Sequence, residues 1–196
     1  MRHINWLITV VLLTIALPLA AQETETKQEE TTVELGESKS VADDGLSFQA
    51  PKNWDNVEPK VNMIEAEYAI EKADGDEQNG RMTVMGSGGS IDQNIERWYG
   101  QFTQPDGKAT ADVAKVEEMT INELTVHVVD ISGTYADSMG GPFGPKTDRD
   151  NYRMLAAIVE TDSHGNYFFK FYGPEKTVSA NEAGFKQMLK TLQEAN

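Results

Sequence analysis

The stretch from Tyr152 to Tyr172 constrains this chain more than any other. Met154-Leu155-Ala156-Ala157-Ile158-Val159 is unbroken apolar sequence. Ser163-His164-Gly165-Asn166 reads as a turn, and Tyr167-Phe168-Phe169-Lys170-Phe171-Tyr172 is a strongly aromatic strand that Gly173-Pro174 ends. A strand that is apolar on every residue is buried on both faces, so this hairpin needs cover above and below.

The rest of the chain offers that cover. Leu46, Phe48 and Ala50 alternate with Ser47 and Gln49 at strand period until Pro51, and Trp54 follows in a loop. Ile64–Ile70 and Arg81–Met85 read as a hairpin with a long polar tip, Asp74–Gly80. Ser90 with Gln93 three residues on is a capping box, opening a helix whose Ile91, Ile95, Trp98, Tyr99 and Phe102 share one face. Strands follow over Lys115–Ile121 and Leu124–Tyr135, then a Gly/Pro-rich loop over 136–150. A final helix is expected with Ser179 as its cap, Glu182 at the third position, and Phe185, Met188, Leu189 and Leu192 on one face. Hairpin connections imply a mostly antiparallel sheet. The fold class is therefore α/β (α+β), a layered sandwich with a sheet flanked by two amphipathic helices.

The ends of the chain read differently. Met1-Arg2-His3, the apolar run Trp6–Leu17, Pro18 and the small pair Ala20-Ala21 have the layout of a secretory signal peptide over 1–21. Export to the periplasm or the medium is the expectation, with no stable membrane insertion after cleavage. Residues 22–44 are acidic and lack apolar periodicity, so they read as a disordered spacer before a single domain over 45–196. The chain has no cysteine, which excludes disulfides, thiol catalysis and thiolate metal sites. Its 17 basic and 32 acidic residues give a net charge of −15. That balance disfavours nucleic acid and anionic lipid as partners.

Three stretches, Asp44–Trp54 (DGLSFQAPKNW), Ser90–Phe102 (SIDQNIERWYGQF) and Gly165–Leu192, resemble the PsbP-like fold group. That group includes the oxygen-evolving enhancer protein of photosystem II, a Ran-binding nuclear-import factor and small exported bacterial proteins. The resemblance implies the fold over about residues 45–194 and mildly favours an accessory or binding role. It carries no metal-binding or partner-binding residues to this sequence.

No motif announces an enzyme. Gly86-Ser87-Gly88-Gly89-Ser90 lacks the Lys-Ser/Thr of a phosphate loop and fails the dinucleotide fingerprint at Ile91. Counted from Asp74, a calcium loop would need Gly at 79 and Glu at 85, where Asn79 and Met85 stand. Weak surface calcium binding is the only cofactor expectation. His127 and Asp130 are an odd number of strand positions apart and should face opposite ways. The long loop over 136–150 is the best functional candidate, with Phe143 as a contact residue and Arg149 and Arg153 as scarce positive charges. The expected function is a non-catalytic binding or accessory domain for a protein or small ligand. The alternative is a hydrolase using carboxylates in a cleft beside that loop.

Overall fold

The computed structural model describes residues 33–138 and 145–195. Along the chain they form β1 (Leu35–Val41), β2 (Leu46–Pro51), β3 (Asp55–Val57), β4 (Ala66–Ile70), β5 (Gly80–Ser87), α1 (Ile91–Tyr99), β6 (Phe102–Thr103) and α2 (Thr110–Val113). Then come β7 (Lys115–Ile121), β8 (Leu124–Ser138), β9 (Lys146–Thr161), β10 (Gly165–Pro174), α3 (Glu175–Ala180), α4 (Glu182–Leu189) and β11 (Gln193–Glu194). The leader over 1–21 and the first part of the spacer lie outside the described residues.

The apolar hairpin stands at the middle of an eight-stranded sheet of order β3-β4-β5-β10-β9-β8-β6, with β7 also pairing β8. Every pairing is antiparallel. Its two faces carry separate cores, as strands buried on both sides require. On one face Phe169, Phe171, Leu155, Ala157 and Val159 pack with Phe185, Met188 and Leu189 of α4 and with Leu46 and Phe48 of β2. On the other, Phe168, Ile158, Ala156 and Met154 pack with Ile95 and Trp98 of α1. The layered sandwich expected from the pattern is the one observed.

Part of the cover comes from an element the composition hid. β1, β2 and β11 form a second, three-stranded sheet. Order therefore begins before Gly45, and the spacer reading is corrected for residues 35–44. β1 pairs β2 from Val41↔Leu46 back to Leu35↔Pro51, and Val41 and Ala42 are buried. Its exposed Glu37, Ser38 and Ser40 make it read as solvated chain, while the ladder to β2 supplies the ordering its composition does not. A chain starting at Asp43 should be less stable than one starting at Val33 by about 2–3 kcal/mol, the burial of one aliphatic side chain with its strand. Equal melting curves would contradict that packing.

Three local corrections follow. The loop over 136–150 is mostly ladder: β8 runs to Ser138 and β9 starts at Lys146, with Ser138↔Lys146 paired. The Gly/Pro run lies between the two strands in the sequence, and the polar strand ends pair because an exposed antiparallel ribbon needs no apolar pattern. The last helix is two helices that meet at Asn181, and Ser179 lies inside the first of them rather than at a cap. Phe102 leaves α1, because Gly100 closes the helix, and is buried from β6 instead.

Candidate functional site

The face that carries α1 is only partly covered by it. Beyond the helix, neighbouring strands present Arg81 (β5), Lys170 and Tyr172 (β10), Tyr152 (β9) and Tyr135 (β8). Strand period alone would turn Arg149 away from Tyr152, because the two are three residues apart. A bulge corrects this: Gly133 pairs Tyr152 but Tyr135 pairs Arg149, and Asn151 takes a left-handed φ of 56°. Two residues of β9 thus oppose one of β8, bringing Arg149 round to the side of Tyr135. Thr134 Oγ1 donates to Asp150 Oδ1 at 2.7 Å across the bulge. Gly133 is required there, since a Cβ would stand 2.7 Å from the Thr103 carbonyl oxygen of β6.

These side chains form one polar and aromatic network. Arg81 donates to both oxygens of Glu67, at 2.7 and 2.9 Å, and to the Tyr172 hydroxyl at 2.8 Å. Lys170 Nζ donates to Gln101 Oε1 and, at 3.2 Å, to the Tyr135 hydroxyl. It lies 4.8 Å from the Tyr172 ring centroid and 5.1 Å from that of Tyr135, in cation–π range of both. The Tyr135 and Tyr152 rings are parallel with centroids 6.0 Å apart, and the Tyr152 hydroxyl donates to Gln78 Oε1 at 2.7 Å. Burial, with Arg81 close by, lowers the Lys170 ammonium to about 7. Burial likewise raises Tyr135 well above the ordinary phenol range.

A groove of about 330 Å³ opens beside this network, lined by Gln78, Arg149 and Tyr152 and rimmed by Asp76, Glu77, Asp148 and Asp150. Arg149 Nε is buried and donates no hydrogen bond; its ion-pair partner is Asp137, whose Oδ2 lies 3.5 Å away. Two of the rim carboxylates are committed elsewhere. Asp76 Oδ2 accepts from the Thr177 amide and hydroxyl at 2.9 and 2.6 Å, holding the β4–β5 turn on α3, and Asp150 accepts from Thr134. The carboxylates of the hydrolase alternative are thus gathered near the ribbon, but two of them serve as structural acceptors. Among the described residues no group of three His, Asp or Glu side chains is placed to hold a metal ion. Gly86 and Ser87 end β5, and Gly88-Gly89 connect it to α1, where Ser90 Oγ accepts from the Gln93 amide at 3.2 Å.

The three residues singled out in the sequence fare differently. Phe143 lies outside the described residues. Arg149 is in the groove. Arg153 is on the opposite face of the sheet, where it donates to both oxygens of Asp130 at 2.9 Å, to Ser179 Oγ at 3.0 Å, and pairs with Glu182 at 2.8 Å. It ties β8 and β9 to α3 and α4, a structural role that corrects its candidacy as a contact residue. Arg153→Ala should cost about 3 kcal/mol, because it strands a half-buried carboxylate, yet leave the groove intact. Loss of ligand affinity without loss of stability would contradict that assignment. His127 and Asp130 do face opposite ways. His127 Nε2 is 2.7 Å from Glu160 and its Nδ1 is 3.6 Å from Glu118, while Asp130 holds Arg153.

Lys170, Arg81 and the three tyrosines escaped sequence reasoning. One signal was present: Lys170 is the single charge in an aromatic strand, on the same side as Phe168 and Tyr172 by strand period. A lysine in such a run needs partners, and tyrosine hydroxyls on adjacent strands are suited to supply them.

No family model and no curated protein matches this chain. Solved structures do resemble it. Cyanobacterial PsbP (CyanoP) from Synechocystis sp. PCC 6803 is 14% identical, with 84% of this chain and 94% of that chain covered and a TM-score of 0.49. PA94 of Pseudomonas aeruginosa, described as a protein of unknown function, is 11% identical over 84% and 98% of the two chains, with a TM-score of 0.46. The Saccharomyces cerevisiae Ran-binding protein Mog1p is 9% identical over 83% and 96%, with a TM-score of 0.46. These are likenesses of fold, and the PsbP-like group named from the sequence is among them.

Proposed function

We propose that this chain is an exported, non-catalytic binding or accessory domain, and that it takes its ligand in the groove beside the tyrosine–lysine network. The observation that carries this reading is Arg149. Its guanidinium is ion-paired with Asp137 at 3.5 Å, its Nε makes no hydrogen bond, and the residue stands in the groove wall, where it is the one cation a ligand oxygen would meet. Around it the network is already assembled: Tyr152 is fixed by Gln78 and stacked on Tyr135, so binding needs little reordering. A groove of this size suits a small molecule rather than a folded protein segment. Export rests on the leader over 1–21, and no helix among the described residues is long and apolar enough to cross a membrane.

Native mass spectrometry of the protein recovered from its own host tests both halves. The expected result is a chain lacking the leader and carrying a small-molecule adduct that Arg149→Gln abolishes. A chain still starting at Met1 would refute export. An adduct that survives Arg149→Gln would place the ligand elsewhere.

A further inference from the structure

β7 ends in a turn where Asn122 and Glu123 both take left-handed φ, 47° and 71°. That is the geometry of a two-residue hairpin, so Ile121 and Leu124 exchange backbone hydrogen bonds and the ladder alternates from there. Lys115, Glu117, Met119 and Ile121 bond inward to β8. Val116, Glu118 and Thr120 turn their N–H and C=O groups outward, and among the described residues nothing bonds to them. The strand is bare on both faces as well: every residue but Ile121 is exposed, with Val116 at 45% and Met119 at 37% on opposite faces. The other sheet edges are less open. β3, β6 and β11 are two or three residues long, and the β1 ladder is broken by a register shift between Leu35 and Ser38. β7 keeps one register over its whole length and has neither bulge nor proline.

Its side chains select what can add to that edge. Glu117 and Glu118 stand on opposite faces, and Glu118 has only His127 Nδ1 near it, at 3.6 Å. A second copy in the antiparallel register that uses the whole strand would set Glu118 against its own counterpart and Glu117 against Met119, which disfavours self-pairing. A segment with two adjacent basic residues between apolar ones matches instead. It matches in either direction, because Val116-Glu117-Glu118-Met119 reads apolar, acidic, acidic, apolar from both ends. The net charge of −15 draws such a segment toward the chain.

We propose that the free edge of β7 is a docking site for an extended segment of a partner protein, added as a further strand, with lysine or arginine opposite Glu117 and Glu118 and apolar residues opposite Val116 and Met119. The site shares no residue with the groove, and neither reading depends on the other.

The test adds three synthetic peptides to the full chain: Thr-Val-Lys-Lys-Val-Thr, the same peptide with Glu-Glu at its centre, and the lysine peptide N-methylated throughout so that its backbone cannot donate. The lysine peptide should bind at least about tenfold more tightly than either of the others. Amide exchange followed by NMR should slow at Val116, Glu118 and Thr120 and stay as it was at Glu117 and Met119, which are bonded already. Thr120→Pro removes one outward N–H while keeping the inward ladder and both glutamates, so it should weaken binding severalfold, and Thr120→Val should not. Glu117→Lys combined with Glu118→Lys should turn the preference to the glutamate peptide. No binding by the lysine peptide would overturn the proposal. Equal binding of the N-methylated peptide, or binding without slowed exchange at the three amides, would reduce the contact to charge attraction and overturn it too. Slow exchange at those amides in the free chain, growing with protein concentration, would make a second copy the occupant and overturn the basic partner.

Discussion

Lys170→Met is expected to stabilise the protein below neutral pH by about 2–4 kcal/mol and to remove most of the rise in stability between pH 7 and pH 10. The sign follows from proton linkage. The folded chain lowers this ammonium from its ordinary 10.5 to about 7, while the unfolded chain keeps the ordinary value. Below pH 7 both states are charged, and the folded state bears the full cost of holding the charge among rings. Between 7 and 10.5 the unfolded state keeps a proton the folded state has released, so wild-type stability climbs by at most about 1.4 kcal/mol per pH unit. The groups facing this amine are Arg81, which opposes its charge, Asp137, which favours it, the Tyr135 hydroxyl, the Tyr172 ring and Gln101. Above pH 10 the raised phenols act in the other direction. Tyr135, and Tyr167 at about 12, keep their protons when unfolded tyrosines have lost theirs, so stability falls again. Urea unfolding of both proteins from pH 6 to 10 measures this. Parallel pH profiles would show that the network does not strain the amine.

Phe169→Ala should cost about 3–5 kcal/mol. β10 is flanked by β5 and β9, and Phe169 is 0% exposed. Its ring meets Phe48 edge-on at 5.1 Å, which ties the large sheet to the small one. Truncation therefore leaves a cavity between two sheets that cannot close without moving β2, and the same change loses an aromatic pair worth about 1 kcal/mol beyond its area. A small loss for Phe169→Ala would mean that the two sheets repack independently.

What could be read from the sequence was whatever period and turn chemistry determine locally. The apolar and aromatic hairpin, the capping box at Ser90 and the two-residue turn at Asn122-Glu123, both with left-handed φ, all stand where expected. What escaped was set by pairing between distant residues. β1 is polar chain ordered by its ladder to β2. The 136–150 segment reads as loop from its Gly/Pro run, yet the polar residues on either side of that run complete the end of a long ribbon. The site depended on a bulge, and a bulge changes which residues share a face without leaving a compositional mark. Arg149 was legible as a scarce cation, whereas its meeting with Tyr135 needed the register. Arg153, equally scarce, went to the opposite face and became a structural tie.

The central claim is that ligand enters at Gln78, Arg149 and Tyr152. Other surfaces compete for that role: the edge strand β7, with Val116 45% and Met119 37% exposed, and the β3–β4 connection with Val61 and Met63. The most direct measurement is a map of amide and Arg149 Nε–H chemical-shift changes on adding the small-molecule fraction extracted from the host's envelope. The expected result is a cluster of changes at Gln78, Arg149 and Tyr152, with the Arg149 Nε–H signal moving downfield as it gains an acceptor. Changes concentrated on Val116 and Met119 or on Val61 and Met63, with the Arg149 signal unmoved, would contradict it.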